Sequence, residues 1–275
     1  MCWASALSRS HGAQAMEIQS YKIAQISDLH CGDPRFSREL LIAAINEINQ
    51  AKPRVVTICG DLTTAGYRDE FEAAKEYIDM IECPIKIVIS GNHDSRNLGY
   101  LHFESIFGPR YRTLDLQFGM HSEENFQERI KFIAVDSAKP DLNDGEIGRE
   151  HYGWLREEFM VDRTFKVFVL HHHLVSVPGT GRERNIVLDA GDVMALLRGA
   201  GVDLVLCGHK HVPYVWPLSN MLLINSGTVS TLRTRGYTEP SYNMVTIEPG
   251  EIVVTTKTPG EDFAQEWSFP RRPVY

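Results

Sequence analysis

From residue 21 onward, short apolar runs alternate with stretches in which apolar residues recur every three or four positions. The runs at 22–26, 55–59, 85–89, 166–170 and 202–207 are strand-length and mostly apolar, the pattern of strands buried on both faces. Between the first two, 37–52 predicts a helix. Ser37 stands as its N-cap, Leu41, Ile45 and Ile48 share one face, and Pro53 closes it. A second helix is predicted to open at Asp69, where Asp69 and Glu72 have the spacing of a capping box. Phe71, Ala74, Ile78 and Ile81 supply its buried stripe. This strand–helix repetition predicts an α/β fold, with parallel strands and helices packed outside them. Further on, 111–118 and 130–136 read as strands, 153–160 and 189–197 as helices, and 222–225, 243–247 and 252–257 as β-structure joined by turns. Residues 259–275, with Pro270 and Pro273, read as an extended tail. No repeat, low-complexity block or linker interrupts the chain, so residues 21–258 are expected to form one domain.

Composition narrows the function classes. The 275 residues are 43% hydrophobic and 23% charged, as in soluble globular proteins with a full-sized core. No apolar run reaches membrane-spanning length. The net charge of −8 argues against general nucleic-acid binding, which needs a basic face. A small anionic substrate stays open, because bound divalent metals would make a pocket locally positive. Five cysteines, no Cys-x-x-Cys pair and no Asn-x-Ser/Thr site point to a reducing, cytoplasmic setting. Residues 1–15 are rich in Ala, Ser and Gly and lack the apolar stretch of a secretory signal, so 1–20 is expected to be a disordered leader, or 1–15 to precede a start at Met16. A homodimer is left open.

Five strands each run into metal-type ligands. They are followed by Asp28-Leu29-His30, by Gly60-Asp61, by Gly91-Asn92-His93-Asp94, by His171-His172-His173 and by Gly208-His209-Lys210-His211. In an open α/β sheet, ligands bind at the carboxyl ends of strands, so these distant residues are expected to converge on one crevice. The i, i+2 spacing of Asp28/His30 and His209/His211 reads as strand alternation, and the glycines before Asp61, Asn92 and His209 as allowances for tight turns. Singly these clusters are weak: an Asp-x-His arises by chance, a Gly-Asp is a turn, a buried histidine is usually hydrogen-bonded core. In this order, each at a strand end, they predict a shared metal site. A carboxylate–imidazole set without thiolates suits Mn, Fe or Zn in an open site rather than a closed structural zinc site.

The order Asp-x-His, Gly-Asp, Gly-Asn-His-Asp, His-His, Gly-His-x-His resembles the calcineurin-like metallophosphoesterase superfamily. The segments Ile133-Ala134-Val135-Asp136-Ser137 and Trp154-Leu155 resemble its class III cyclic-nucleotide phosphodiesterases and bacterial glycerophosphodiesterases. The resemblance implies a four-layer α/β/β/α sandwich of two mixed sheets with two divalent transition-metal ions above them. It implies that Asp28, His30, Asp61 and His211 hold one ion, and Asp61, Asn92, His171 and His209 the other. His172 is the alternative to His171. Two ions roughly 3.5–4 Å apart bind a phosphate and activate water for in-line attack. His93 then protonates the leaving oxygen, with Asp94 either orienting it or capping a helix. Asn92, His93, Arg96 and His172 are the expected substrate contacts, whereas Arg233 and Arg235 read more readily as surface arginines. Two departures matter: Leu62-Thr63-Thr64-Ala65-Gly66 replaces the Asp-Arg-Gly of the protein phosphatases, and His173-Leu174-Val175 replaces a His-Pro-Pro. The expected activity is hydrolysis of a small phosphodiester, a cyclic nucleotide among the candidates. The alternatives are a phosphomonoesterase, a nucleotide pyrophosphohydrolase, or a non-catalytic metal-binding scaffold.

Overall fold

A computed structural model describes residues 20–118, 128–161 and 163–271. All but the last residue of the expected leader, and 272–275 of the expected tail, lie outside them. In chain order the first half comprises β1 (Tyr21–Ile26), α1 (Arg38–Ala51), β2 (Val55–Cys59), α2 (Arg68–Asp79), β3 (Lys86–Ile89) and α3 (Gly99–Phe107). There follow β4 (Arg112–Phe118), β5 (Glu128–Ala134), α4 (Tyr152–Phe159), β6 (Thr164–Val169), α5 (Ala190–Gly199) and β7 (Leu204–Cys207). The chain continues through β8 (Tyr214–Leu218), β9 (Met221–Asn225), β10 (Tyr242–Ile247), β11 (Glu251–Lys257) and β12 (Ala264–Pro270).

The strands make two six-stranded sheets, ordered β12-β11-β10-β1-β2-β3 and β4-β5-β6-β7-β9-β8. The strands followed by helices pair in parallel, as β1 with β2, β2 with β3, β5 with β6 and β6 with β7. Antiparallel β10, β11 and β12 extend one sheet, while β4 and β8 edge the other. Alternation along each strand then builds four layers. Ile23, Val55, Ile87 and Val245 face Phe132, Val167, Leu204 and Ile224 between the sheets. Ala24, Val56 and Ile58 turn outward to Leu41, Ile45, Phe71 and Ile78 of α1 and α2. Ile133, Phe168 and Val205 meet Leu155, Phe159, Val193 and Leu197 of α4 and α5. The α/β/β/α sandwich is therefore the observed fold.

Local details differ from the sequence pattern in instructive ways. Helix α1 is capped as expected, with Ser37 Oγ accepting from the Leu40 amide at 3.3 Å. Helix α2 instead starts one residue before the expected Asp69, and its reciprocal acid is Glu70. Glu70 Oε2 accepts the Tyr67 amide at 3.2 Å and the Ala65 amide at 2.9 Å. Glu72 pairs along the helix with Arg68. The segment expected to be a tail supplies β12, which pairs with β11 along its length and brings Trp267 and Phe269 against the inter-sheet core. The domain thus extends past residue 258. Among the described residues no helix is long and apolar enough to cross a membrane, and Cys31, Cys59, Cys83 and Cys207 are free and buried.

Candidate metal centre

Chain reversals beyond β1, β2, β3, β6 and β7 bring the five clusters together above the sheets. The backbone there is not strand. Asp28, His30, Asp61, His209 and His211 all lie in the left-handed region, at φ of 55°, 52°, 51°, 74° and 58°. Asp and His tolerate this region better than most residues, yet each such position costs roughly 1 kcal/mol or more. The i, i+2 spacing therefore marks paired left-handed kinks, not the strand alternation expected from sequence. The kinks let main-chain groups lock the loops together. The Asp28 amide donates to Gly60 O and the His30 amide to Asp61 O, both at 3.0 Å, and the His209 amide to Asp28 Oδ2 at 2.9 Å. Gly60 supplies a turn at φ 83°. Gly91 and Gly208 have another reason, close approach: a Cβ on Gly91 would collide with Asp61, and one on Gly208 with Ser27 and Asp28.

The side chains so placed present acceptors to acceptors. His171 Nδ1 donates to Cys59 O at 2.7 Å, which leaves the Nε2 lone pair aimed at Asp61 Oδ2 (3.3 Å) and Asn92 Oδ1 (3.2 Å). His209 Nδ1 lies 3.0 Å from the same Asn92 oxygen. On the other side, His211 Nδ1 donates to Arg233 O at 2.6 Å, and its Nε2 faces Asp28 Oδ1 (3.1 Å) and His30 Nε2 (3.0 Å). Asp28 Oδ1 is buried without a hydrogen-bond partner. Ligand atoms of Asp28, His30 and His211 fall within 4.8 Å of one another, and so do those of Asp28, Asp61 and His171. A third such group, His30, Asp61 and His93, also contains Asp61. Lone pairs converging in a buried space repel unless a cation or proton sits among them. The donor set fits cations, and Asp61 lies where two sites would share it.

The titration of these groups reflects the same crowding. Burial works against charge on His171, but Asp61 beside it wins and lifts it to about 10. Burial likewise disfavours charge on His211, yet Asp28 holds it above its ordinary value. Burial alone would raise both carboxyls. Imidazoles override it, His171 drawing Asp61 well below the carboxylate range and His211 drawing Asp28 down. Burial pushes His30 down to about 3 and His209 well below the imidazole range, so both stay neutral and able to ligate.

The His triplet divides by its partners. His172 has both nitrogens occupied, Nδ1 by Ser137 Oγ (2.9 Å) and Nε2 by Asn143 O (3.2 Å). These bonds engage both ends of the ring, while its ligand atom falls within 4.8 Å of those of His171 and His209 and its ring lies 4.6 Å from that of His209. His173 stacks on His209 and pairs with Glu183 Oε1 at 2.8 Å, an oxygen that also accepts from the buried Lys210 at 3.0 Å. Only His171 points its free nitrogen at Asp61 and Asn92.

His93 is half-buried beside His30, its Nδ1 held by Thr64 O at 2.6 Å and its main-chain amide by Asp61 Oδ1 at 2.9 Å. With Nδ1–H donated, Nε2 is the end left for chemistry. Asp94 neither orients His93 nor caps a helix. It is fully buried and accepts from the amides of Leu62, Thr63 and Gly91 and from the Thr63 hydroxyl, at 2.7–3.1 Å. It clamps the loop after β2 to the loop after β3. Arg96 donates to Asn143 Oδ1 at 2.9 Å and to Thr64 O at 3.4 Å. Arg233 pairs with Asp33 and Arg235 is exposed. Sequence reasoning missed Asn143 altogether, and it met Ser137 and Thr64 only inside the segments 133–137 and 62–66 without their roles, which rest on loop conformation.

The chain is similar to known proteins in family and in fold. The sequence model of the family described as calcineurin-like phosphoesterase matches residues 21–213. A probable cyclic nucleotide phosphodiesterase of a Synechococcus strain is 25% identical over 209 residues, 73% of this chain and 77% of that protein. A glycerophosphodiester phosphodiesterase of Enterobacter lignolyticus is 23% identical over 195 residues, 70% of this chain and 66% of that protein. Among solved structures, a purple acid phosphatase from yellow lupin seeds superposes with a TM-score of 0.69 at 14% identity, over 92% of this chain and 54% of that one, a likeness of fold.

Proposed function

Because the chain belongs to the calcineurin-like phosphoesterase family, whose members are metal-dependent phosphoester hydrolases, we propose that it hydrolyses small phosphodiesters, cyclic nucleotides among them, with two divalent transition-metal ions. The observation that carries this reading is the convergence of lone pairs around Asp61. Asp28, His30, Asp61 and His211 would hold one ion, and Asp61, Asn92, His171 and His209 the other, with Mn, Fe and Zn all suited to these donors. When bound, such ions supply the positive charge that draws in a phosphate and acidifies water. The chain's own residues do the rest. Asp28 and Asp61 stay ionised in a buried space, and His30 and His209 stay neutral. His93, fixed through Nδ1–H by Thr64 O, would in its doubly protonated form give the Nε2 proton to the oxygen that leaves phosphorus and be left as the neutral imidazole. The names of the Synechococcus and Enterobacter relatives favour a diester over a monoester.

The test is a hydrolysis screen of metal-stripped protein reloaded with Mn, set beside a metal count on the same preparation. Two ions per chain, and faster turnover of cyclic nucleotides or aryl diesters than of monoesters and nucleotide pyrophosphates, is the expected result. Faster monoester or pyrophosphate turnover would reassign the substrate class. Two ions bound without turnover of any ester would leave a metal-binding scaffold.

A further inference from the structure

An amide that ligates a cation must present its oxygen, and its two ends are nearly the same shape. Asn92 Oδ1 faces His171 Nε2 at 3.2 Å and His209 Nδ1 at 3.0 Å, while Asn92 Nδ2 points the other way, to Asn143 Oδ1 at 3.4 Å. A half-turn of this amide would put N–H groups among the lone pairs and an oxygen against an oxygen. What holds Asn143 in its own orientation is Arg96. A guanidinium only donates, so the 2.9 Å bond from Arg96 Nη2 requires the oxygen end of Asn143. Arg96 is anchored in turn by Thr64 O, the carbonyl that also holds His93. The main chain of Asn143 is fixed from below by His172 Nε2 at 3.2 Å.

We infer that Arg96 and Asn143 form an orientation relay: the guanidinium sets the Asn143 amide, and Asn143 sets which end of Asn92 faces the metal centre. Arg96 is then a positioning residue, acting through Asn143, and not the substrate contact its place in the sequence suggests. Asn143 is exposed and belongs to no helix or strand, so its contribution lies in this orientation and not in packing. The inference rests on the reading of Asn92 as a ligand.

The experiment is titration of Mn into metal-free protein, followed by the electron paramagnetic resonance of unbound Mn. Wild-type protein should take up two ions. Asn143→Ala should weaken the second by roughly 10–100-fold, as losing an outer partner of a ligand does. Asn143→Asp keeps an acceptor for both Arg96 and Asn92 and should bind like wild type. The discriminating background is Asn92→Asp, in which both ends of the side chain are oxygen and orientation no longer matters. There Asn143→Ala should cost nothing further. An equal loss in both backgrounds would show that Asn143 merely supports the loop, and no loss in the native background would remove it from the site; either overturns the relay. A wild-type protein that takes up one ion overturns the two-ion reading, and the relay with it.

Discussion

The space between the two sheets and the loops above their carboxyl ends are built from the same strands and obey opposite rules. Between the sheets, Ile23, Val55, Phe132, Val167 and Ile224 fill most of the gap from regular extended backbone, and the buried Gln25 there is paired across it, donating to Cys207 O at 2.9 Å and Ile224 O at 3.0 Å. Two residues beyond β1 the backbone is left-handed, the side chains are ionisable, and buried atoms such as Asp28 Oδ1 lack a hydrogen-bond partner. Each region needs the other. Left-handed carboxylate and imidazole residues are unfavourable where they stand, and they hold because the sandwich beneath is stabilised by about 25 cal/mol per Å² of apolar surface it buries. Stability and chemistry are thus segregated along each strand, within one or two residues.

That segregation can be broken from either side. The largest effect is expected above the sheets, at His93. His93→Ala should leave the fold intact and bind both ions, yet lower turnover roughly 100-fold or more, with a smaller loss for diesters whose leaving group is nitrophenol. Asp61→Ala should lose bound metal together with activity. Metal content and rates on the same preparations decide it. Equal losses with good and poor leaving groups, or loss of metal in His93→Ala, would give His93 another role.

A cut made between the sheets should do the reverse. Phe132 is almost fully buried, and Phe132→Ala should reduce stability by about 3–5 kcal/mol in denaturant unfolding while turnover under native conditions stays near wild type. A drop in turnover out of proportion to the folded fraction would mean that the two regions are coupled.

The smallest effect sharpens the boundary. In metal-free protein the proton on His171 takes the place of a cation beside Asp61, and the folded pKa of about 10 stands above the ordinary 6.5. The stability it contributes is therefore fully present below pH 6.5 and is lost as pH rises through about 10. Metal-free wild type should lose thermal stability across that window, and His171→Gln should flatten the slope. An unchanged slope in the variant would place the titration elsewhere.

The sequence disclosed these regions unequally. The sandwich was readable because alternation and helical stripes are periodic, and α1 even shows its cap in Ser37. Helix α3 escaped because Leu98, its N-cap, offers no side-chain cap bond, and only Gly99 and Phe103 are buried along it. Strand β12 escaped because its side chains are largely exposed, only Trp267 and Phe269 alternate toward the core, and Pro270 ends it. Above the sheets, the predicted ligands were brought together, but the reasons for their spacing were not visible. Left-handed backbone at Asp28 and His209 leaves no periodic trace. Asp94 looked catalytic by its place beside His93, whereas its four hydrogen bonds depend on two loops that meet only in three dimensions.

The left-handed turns at Asp28, His30, Asp61, His209 and His211 also decide how ions would arrive. The chain's own contacts hold these turns, through the main-chain bonds from Asp28 to Gly60, from His30 to Asp61 and from His209 to the Asp28 carboxylate, and through the Asp94 clamp on the loops after β2 and β3. On the proposed reading, ions would fill a site shaped by the chain's own hydrogen bonds, unlike a zinc finger that is unfolded until its ion comes. A chelator should empty this centre and leave a folded chain behind, and successive exchange of Mn, Fe or Zn should retune the chemistry without rebuilding the vessel.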